Sequence, residues 1–454
     1  MLDLVQAIDS NKIYKNDDLR TFIRNLEERY IITEEIDFFE SLVNFSANNK
    51  VPVHGWFKYR EGYSHTLVRE LLKRYSIDKD REYVIDPFCG SGTTLLEAGI
   101  HGYSSLGVDV NPMSVVVTNA KVQKYSKDDL DYIRRIILNI DKIHDDFNEV
   151  EVAEDLAAYF KEEHLLNLTK MLNYIKSIDN EKIRNLFFAG LLSIVEECSD
   201  RKRDGNGLKR SDTKVQDVIS HYINKMNQIV NDLLINEIQQ PGVGICGSAT
   251  KLYDIANEYS SESNKKPGII VFSPPYANSF DYFESYKMEL RFGQFVEGLK
   301  RDRMSKYRNL AVRSFVSAFK DSIEVDPYID LMAHEIELAI PEKEARTGKR
   351  DSRTRKVPQM IRGYFKDMED VLQQCGKVLS KGQYCCIVVD QSSYLGKLVP
   401  TDLFLAYLGE RHGFATKEII ICRKAKTSSQ QLQQYPYLSE TLRESIVILE
   451  KINE

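Results

Sequence analysis

Two short stretches of this chain carry residue types that could do chemistry together. The first is SPPY, Ser273-Pro274-Pro275-Tyr276, directly after the apolar run IIVF. The Ser273 hydroxyl and the Pro274 carbonyl can accept hydrogen bonds. Paired prolines hold the backbone rigid and extended and remove N–H donors that would compete at the site. The Tyr276 ring offers a flat face to a planar ligand, so the step can grip an amine without a covalent nucleophile. The second stretch is VIDPFCGSGTT, in which Asp86 and Pro87 end an apolar run and Phe88, Gly90, Ser91, Gly92 and Thr93 turn into a helical pattern. Glycines at such a turn let backbone approach a ligand closely, and the start of a helix presents free N–H groups. Asp109 lies nineteen residues after Gly90, in GVDVNP with Asn111. At the end of the next strand, its carboxylate is placed to accept hydrogen bonds from ribose hydroxyls. The spacings GxxxxGK(S/T) and GxGxxG are absent, so a phosphate cradle is not expected. Taken singly, each stretch also reads as ordinary punctuation: a glycine turn before a helix, or a proline turn closing a strand over a core tyrosine.

The elements that must position these residues follow from periodicity. Strand-like REYVID and SSLGVDV alternate with helix-like TLVRELLKRYSI and TTLLEAGIHG, and strand patterns resume at GVGICGSA, GIIVFS, QYCCIVVD, TKEIIICR and SIVILEK. That alternation predicts an α/β fold with a mostly parallel sheet covered by helices. The spacing predicts a helical appendage over 1–50, an α/β domain over 51–120 and 241–454, a helical insertion over 121–240, and a second insertion over 284–365. With 454 residues, 42% of them hydrophobic, the chain can bury a sizeable core. Seven cysteines without a CxxC pair or nearby histidine cluster predict reduced core thiols and no metal. No apolar run is long enough to span a membrane, and MLDLVQAIDSNK lacks a signal-peptide pattern, so a cytoplasmic protein is expected.

The string DPFCGSGTTLLEA resembles the S-adenosylmethionine loop of the amino-group DNA methyltransferases. GWFKYREGYSHTLV is similar to the segment that in that family lines the methionine end of the cofactor, which implicates Tyr59, Gly62 and Ser64. SPPYANSFDYFESYKMEL and QQYPYLSETLRESIVILEK resemble the cytosine-N4 branch. This resemblance implies a class I, Rossmann-like methyltransferase fold with a seven-stranded sheet and helices on both faces. It also implies S-adenosyl-L-methionine as cofactor, double-stranded DNA as substrate and a restriction endonuclease as a possible companion. The implied reaction is methylation of the exocyclic N4 amine of a flipped cytosine. That nitrogen's lone pair is delocalised into the ring, and acceptors fixed around its protons would draw it toward tetrahedral geometry. A carbon-5 cytosine enzyme is not expected, because that chemistry needs a cysteine nucleophile after the prolines and none is there. Where family members often have an acid before the catalytic strand, this chain has GSAT, with Ser248 in the corresponding position.

The net charge of −6 argues against wholesale polyanion affinity and leaves local basic surfaces to do the work. RKRDGNGLKR, with Arg201, Lys202, Arg203, Lys209 and Arg210, and KEARTGKRDSRTRK, with Arg350, Arg353 and Arg355, are candidate DNA-binding loops. Either could equally be a solvated loop. A serine before the prolines can accept from an amino proton and donate its own proton to the neighbouring ring nitrogen, which suits cytosine but also permits adenine. Adenine-N6 methylation, RNA guanine-N2 methylation and a DNA-binding regulator with a vestigial pocket are the alternatives.

Overall fold

A computed structural model describes residues 13–146, 150–205, 207–316, 323–425 and 429–453. The chain opens with α1 (Asp17–Arg29), capped where the Asn16 side chain accepts from Leu19 N, and then β1 (Ile32–Glu34). Next come α2 (His65–Arg74), β2 (Glu82–Asp86), α3 (Thr93–Ile100), β3 (Ser104–Asp109) and α4 (Pro112–Lys121). Four long helices follow: α5 (Lys127–Asp146), α6 (Glu162–Lys176), α7 (Glu181–Cys198) and α8 (Val218–Ile235). Between α7 and α8, β4 (Arg201–Asp204) and β5 (Gly207–Arg210) pair as an antiparallel hairpin, so the stretch expected to be a loop is a ribbon. Beyond β6 (Gly242–Cys246), α9 (Leu252–Ser263) and β7 (Lys266–Phe272) lie α10 (Pro327–Thr347) and α11 (Val357–Val378). The chain ends with β8 (Tyr384–Asp390), the small hairpin β9 (Ser392–Tyr394) and β10 (Lys397–Val399), α12 (Thr401–Glu410), β11 (Phe414–Lys424) and β12 (Arg443–Lys451).

The main sheet has the order β1-β11-β12-β8-β7-β2-β3-β6. Only β12 runs antiparallel to its neighbours. The fold is the class I methyltransferase α/β arrangement. It departs from the seven strands expected: β1, from the segment read as purely helical, extends the edge by pairing with β11 through Ile32, Thr33 and Glu34. The period of two is visible in burial. Tyr83, Ile85, Ile270, Phe272, Cys385 and Ile387 pack with α1, α9, α11 and α12, whereas Val84, Ile269, Val271, Cys386 and Val388 pack on the opposite face with α2. Helices α5–α8 form their own apolar cluster with α4 and the start of α3. The 284–365 boundary falls inside α11, because Tyr364, Phe365, Met368 and Leu372 belong to one continuous buried stripe.

All seven cysteines are unpaired, and only Cys246 is exposed. Among the described residues there is no cluster of three metal-ligating side chains and no helix long and apolar enough to cross a membrane.

One buried charge ties the N-terminal helix to the sheet. Arg443, 1% exposed, donates to both Glu27 oxygens on α1 at 2.5 and 2.9 Å and to Asp402 on α12 at 2.6 Å. Truncation would strand two carboxylates in a dry site. We expect Arg443→Ala to lower unfolding free energy by about 3 kcal/mol or more, as for other broken buried pairs. Urea denaturation checks this, and a loss below about 1 kcal/mol would mean the cluster is effectively solvated.

Candidate active site

The first loop is built around two buried acids. Asp86, at the end of β2, accepts from Phe88 N at 2.9 Å through one oxygen, and from Thr94 Oγ1 at 2.6 Å and the Tyr63 hydroxyl at 3.2 Å through the other. Burial pushes its carboxyl up to about 7 against those donors. Asp109, at the end of β3, accepts from Gly90 N and Asn111 N, both at 2.8 Å, and burial pushes it up to about 6. It thereby pins the loop after β2 to the neighbouring strand. The turn itself needs glycine: Gly90 and Gly92 have φ of +49° and +83°.

A cavity opens at these strand ends. Tyr59, Pro87, Phe88, Asp109, Asn111 and Ser248 line it, together with Ser273, Pro274 and Pro275. Asp86, Gly90, Ser91, Gly92 and Thr93 do not; Asp86, Ser91 and Thr93 are buried in the loop. The Tyr59 ring lies over Gly90, close enough that a Cβ there would meet it at 2.8 Å. Ser64 is turned away, capping α2 through Thr66 N. Ser248 Oγ donates to Leu310 O at 2.8 Å and draws residues 310–315 over the cavity. That covering segment carried no sequence signal, whereas Glu61, Tyr282 and Phe283, which also line the cavity, lie inside the two family-like strings without having been singled out. Four of the segment's six residues, Leu310, Ala311, Val312 and Phe315, are ordinary apolar ones brought in by a loop of the second insertion.

Gly62 lines a second cavity instead, beside Arg60, Tyr63, Tyr276, Asn278, Phe280, Arg423 and Glu444. Glu61, Ser273, Pro274 and Tyr282 line both cavities, so the SPPY step forms part of the wall between them. Ser273 Oγ donates to the Tyr276 hydroxyl at 3.4 Å, and that hydroxyl donates to Glu444 Oε1 at 2.8 Å. The Tyr282 hydroxyl accepts from Tyr276 N at 3.3 Å. Tyr276 is thus held at both backbone and ring. The other carboxylate at this wall, Glu61, accepts from the Tyr286 hydroxyl at 2.6 Å, and burial raises its pKa.

The basic stretches divide. Arg203 is buried, ion-paired with Glu196 and Glu289, donating to Ser285 O at 2.9 Å and stacked over Tyr286. Its reading as a DNA contact is therefore corrected: the charge is already neutralised inside the protein. Lys202, Lys209 and Arg210 are exposed on the hairpin, with Lys202 directly opposite Lys209. Arg201 is half-buried against Tyr159 and donates to Ala158 O at 2.7 Å. Arg350, Arg353 and Arg355 are exposed; Arg355 pairs with Glu344, while Arg353 donates to Ser279 O at 3.3 Å, just beyond the SPPY step. Gly205 at the hairpin tip lines the second cavity.

Residues 11–119 match a family model described as DNA methylase. Over almost its whole length the chain is similar to two type II methyltransferases. It is 28% identical to M.BsoBI of Geobacillus stearothermophilus, across 94% of this chain and 91% of that one. It is 26% identical to M.AvaI of Nostoc sp., across 96% and 94%. A tRNA (guanine(10)-N2)-dimethyltransferase of Methanothermobacter thermautotrophicus is 29% identical over 24% of this chain and 31% of its own.

The two raised acids carry a consequence for stability. Between the unfolded carboxylate value near 3.9 and the folded values of about 7 and 6, the folded protein holds protons that the unfolded chain has released. Stability is therefore greatest at low pH in this window and is lost as pH rises through the folded values, with a slope of about 1.4 kcal/mol per unit for each group. In denaturation between pH 4.5 and 7, Asp86→Asn should flatten part of this slope. An unchanged slope would show Asp86 to be ionised throughout.

Proposed function

We propose, for a chain that belongs to the amino-group DNA methyltransferases, that it methylates the exocyclic N4 amine of cytosine flipped out of double-stranded DNA, with S-adenosyl-L-methionine as cofactor. The observation that carries this reading is the shared wall: Ser273 and Pro274 face two adjoining cavities at the carboxyl ends of the parallel strands. Base and cofactor in adjoining chambers would meet across that wall.

The residues of the first cavity fit the cofactor's chemistry. Asp109 offers a carboxylate to a ribose diol, Phe88, Leu310 and Phe315 offer apolar surface to an adenine, and Glu61 offers a negative charge to an ammonium group. Bound there, the cofactor would supply an electrophilic methyl group. Ser248, where relatives of this kind often have an acid, spends its hydroxyl proton on Leu310 O. We assign it to holding the covering segment in place.

In the second cavity, Phe280, Tyr282 and Tyr276 offer aromatic surface to an extruded base. Stacking of about 1–3 kcal/mol offsets much of the few kcal/mol needed to unstack it. With its own proton directed to Tyr276, Ser273 Oγ keeps its lone pairs for an amino hydrogen, and the Pro274 carbonyl is the second acceptor. The hydroxyl is therefore not available to donate to a ring nitrogen, as the sequence had suggested. The preference for cytosine over adenine rests on the likeness of SPPY to the N4 branch. DNA is preferred to RNA as substrate because the DNA-enzyme likeness spans 94% of the chain and the tRNA-enzyme likeness 24%. A companion endonuclease is the partner that a type II enzyme implies.

Incubation with DNA of varied sequence and labelled cofactor, followed by digestion to nucleosides, tests the reading. The expected product is N4-methylcytosine, and Ser273→Ala should cut single-turnover transfer more than tenfold with little change in cofactor affinity. Exclusive N6-methyladenine would move the enzyme to the adenine branch.

For DNA contact, the exposed hairpin residues Lys202, Lys209 and Arg210 are the candidates, together with the exposed Arg350 and Arg353. Replacing the hairpin three by serine should weaken DNA binding and flatten the plot of log affinity against log salt by about 0.9 per lost phosphate contact. Fluorescence anisotropy across a salt series measures this. A wild-type slope would remove the hairpin from the interface.

A further inference from the structure

The hydrogen bonds around Tyr276 run in one direction. Ser273 Oγ donates to Tyr276 Oη, and Tyr276 Oη donates to Glu444 Oε1, so the chain leads from the shared wall to a carboxylate on β12 that is 1% exposed. The second Glu444 oxygen meets the Arg423 guanidinium from β11. Asp390 on β8 stands opposite Glu444 in the strand register, and its Oδ1 is buried without a hydrogen-bond partner. Among the described residues, the Cys422 thiol on β11, the Tyr282 hydroxyl and Asp402 on α12 also act on this pair. Two carboxyls this close do not both stay ionised in a buried site. Burial raises both carboxyls, and the Glu444 charge raises Asp390 further, while the Arg423 guanidinium and the Tyr276 hydroxyl act against burial at Glu444. With two donors on Glu444 and an orphaned oxygen on Asp390, Asp390 holds the proton and Glu444 the charge.

An ionised, buried carboxylate at the inner end of a proton-donating chain exceeds what fixing a tyrosine ring requires. Methylation of an amine also leaves one proton too many. We propose that Glu444 is the terminal proton acceptor of the reaction, reached from the amine through Ser273 and Tyr276. This rests on the reading of SPPY as the amine site. As the nitrogen–methyl bond forms and the methyl–sulfur bond breaks, the nitrogen acquires the positive charge that the sulfonium loses. The nitrogen then gives an N–H proton to Ser273 Oγ, Ser273 gives its own to Tyr276 Oη, and Tyr276 gives its own to Glu444 Oε1. The methylated amine and Glu444 end neutral, and both hydroxyls end neutral with their hydrogen bonds reversed, to rotate back once Glu444 has lost its proton. Because Glu444 lines the second cavity, its proton can leave to solvent once the base has departed. Glu444 touches no reacting atom, so it is a positioning residue that works through Tyr276.

The test is single-turnover methyl transfer from pH 5 to 9, on plasmid DNA that the wild-type protein methylates, with Glu444→Gln and Tyr276→Phe. Glutamine preserves shape and acceptor oxygen but takes no proton, and phenylalanine cuts the chain while leaving the Glu444–Arg423 pair. The wild-type rate should rise with pH to a plateau. Both variants should be about tenfold or more slower at pH 8 and flat with pH, meeting the wild-type curve at its acid end. DNA affinity of Glu444→Gln without cofactor should match wild type. A wild-type rate and pH profile in either variant overturns the proposal. So does a uniform rate loss at every pH, which would mean that Glu444 only holds Tyr276 in place. Wild-type protein that methylates no DNA amine overturns the functional reading itself, and this proposal with it.

Discussion

The parallel pairing of β7 against β2 is the constraint on which the site depends. Backbone hydrogen bonds set Val84 opposite Ile269 and Ile85 opposite Ile270, and the same ladder carries on through β3 to β6, where Asp109 pairs with Cys246. Four strand ends therefore finish at one rim, and Phe88, Asp109, Ser248 and Ser273 are brought together from distant parts of the chain. A slip of one residue would move a strand end by about 3.3 Å and turn every side chain to the other face. The buried residues on both faces of β2 and β7 make that slip prohibitive. The chain returns to β7 after running outward through β3 and β6, so the rim opens where strand order reverses.

Buried charge then sets how the appended parts meet this rim. Arg203 joins the β4–β5 hairpin to Glu289 and Ser285, in the segment that follows the SPPY loop. Burying an ion pair adds little net stability, because desolvation consumes most of the Coulomb gain. Its value is geometric: the three-way contact admits few alternative arrangements, and it holds the hairpin tip at the mouth of the second cavity. Arg443 performs the same service on the far side of the sheet, where it holds α1 and α12 against β12. Glu444, the next residue along that strand, points to the other face and reaches Tyr276. One strand thus anchors the N-terminal helix through one side chain and the SPPY tyrosine through the next.

The α/β alternation, the order of the glycine loop, Asp109 and SPPY, and the helical character of 121–240 were all legible in the sequence, because each depends on local periodicity or on a backbone conformation that few residue types adopt. Glycines at positive φ and paired prolines declare their turns wherever they occur. The strand β1 was not legible: three residues have no periodicity to read, and only the free edge of β11 makes them a strand. Nor could the sequence distinguish Arg203 from Lys202. They are adjacent and equally basic, and alternation on a strand sends one into the protein and the other to solvent. The direction of the Ser273 proton was likewise decided by tertiary structure. A hydroxyl rotates freely, and what fixes it is a tyrosine whose own proton is claimed by a carboxylate 168 residues away. Sequence determined which groups could act because chemistry resides in residue types; the fold decided which of them are free to act, because pairing and burial depend on residues far apart along the chain.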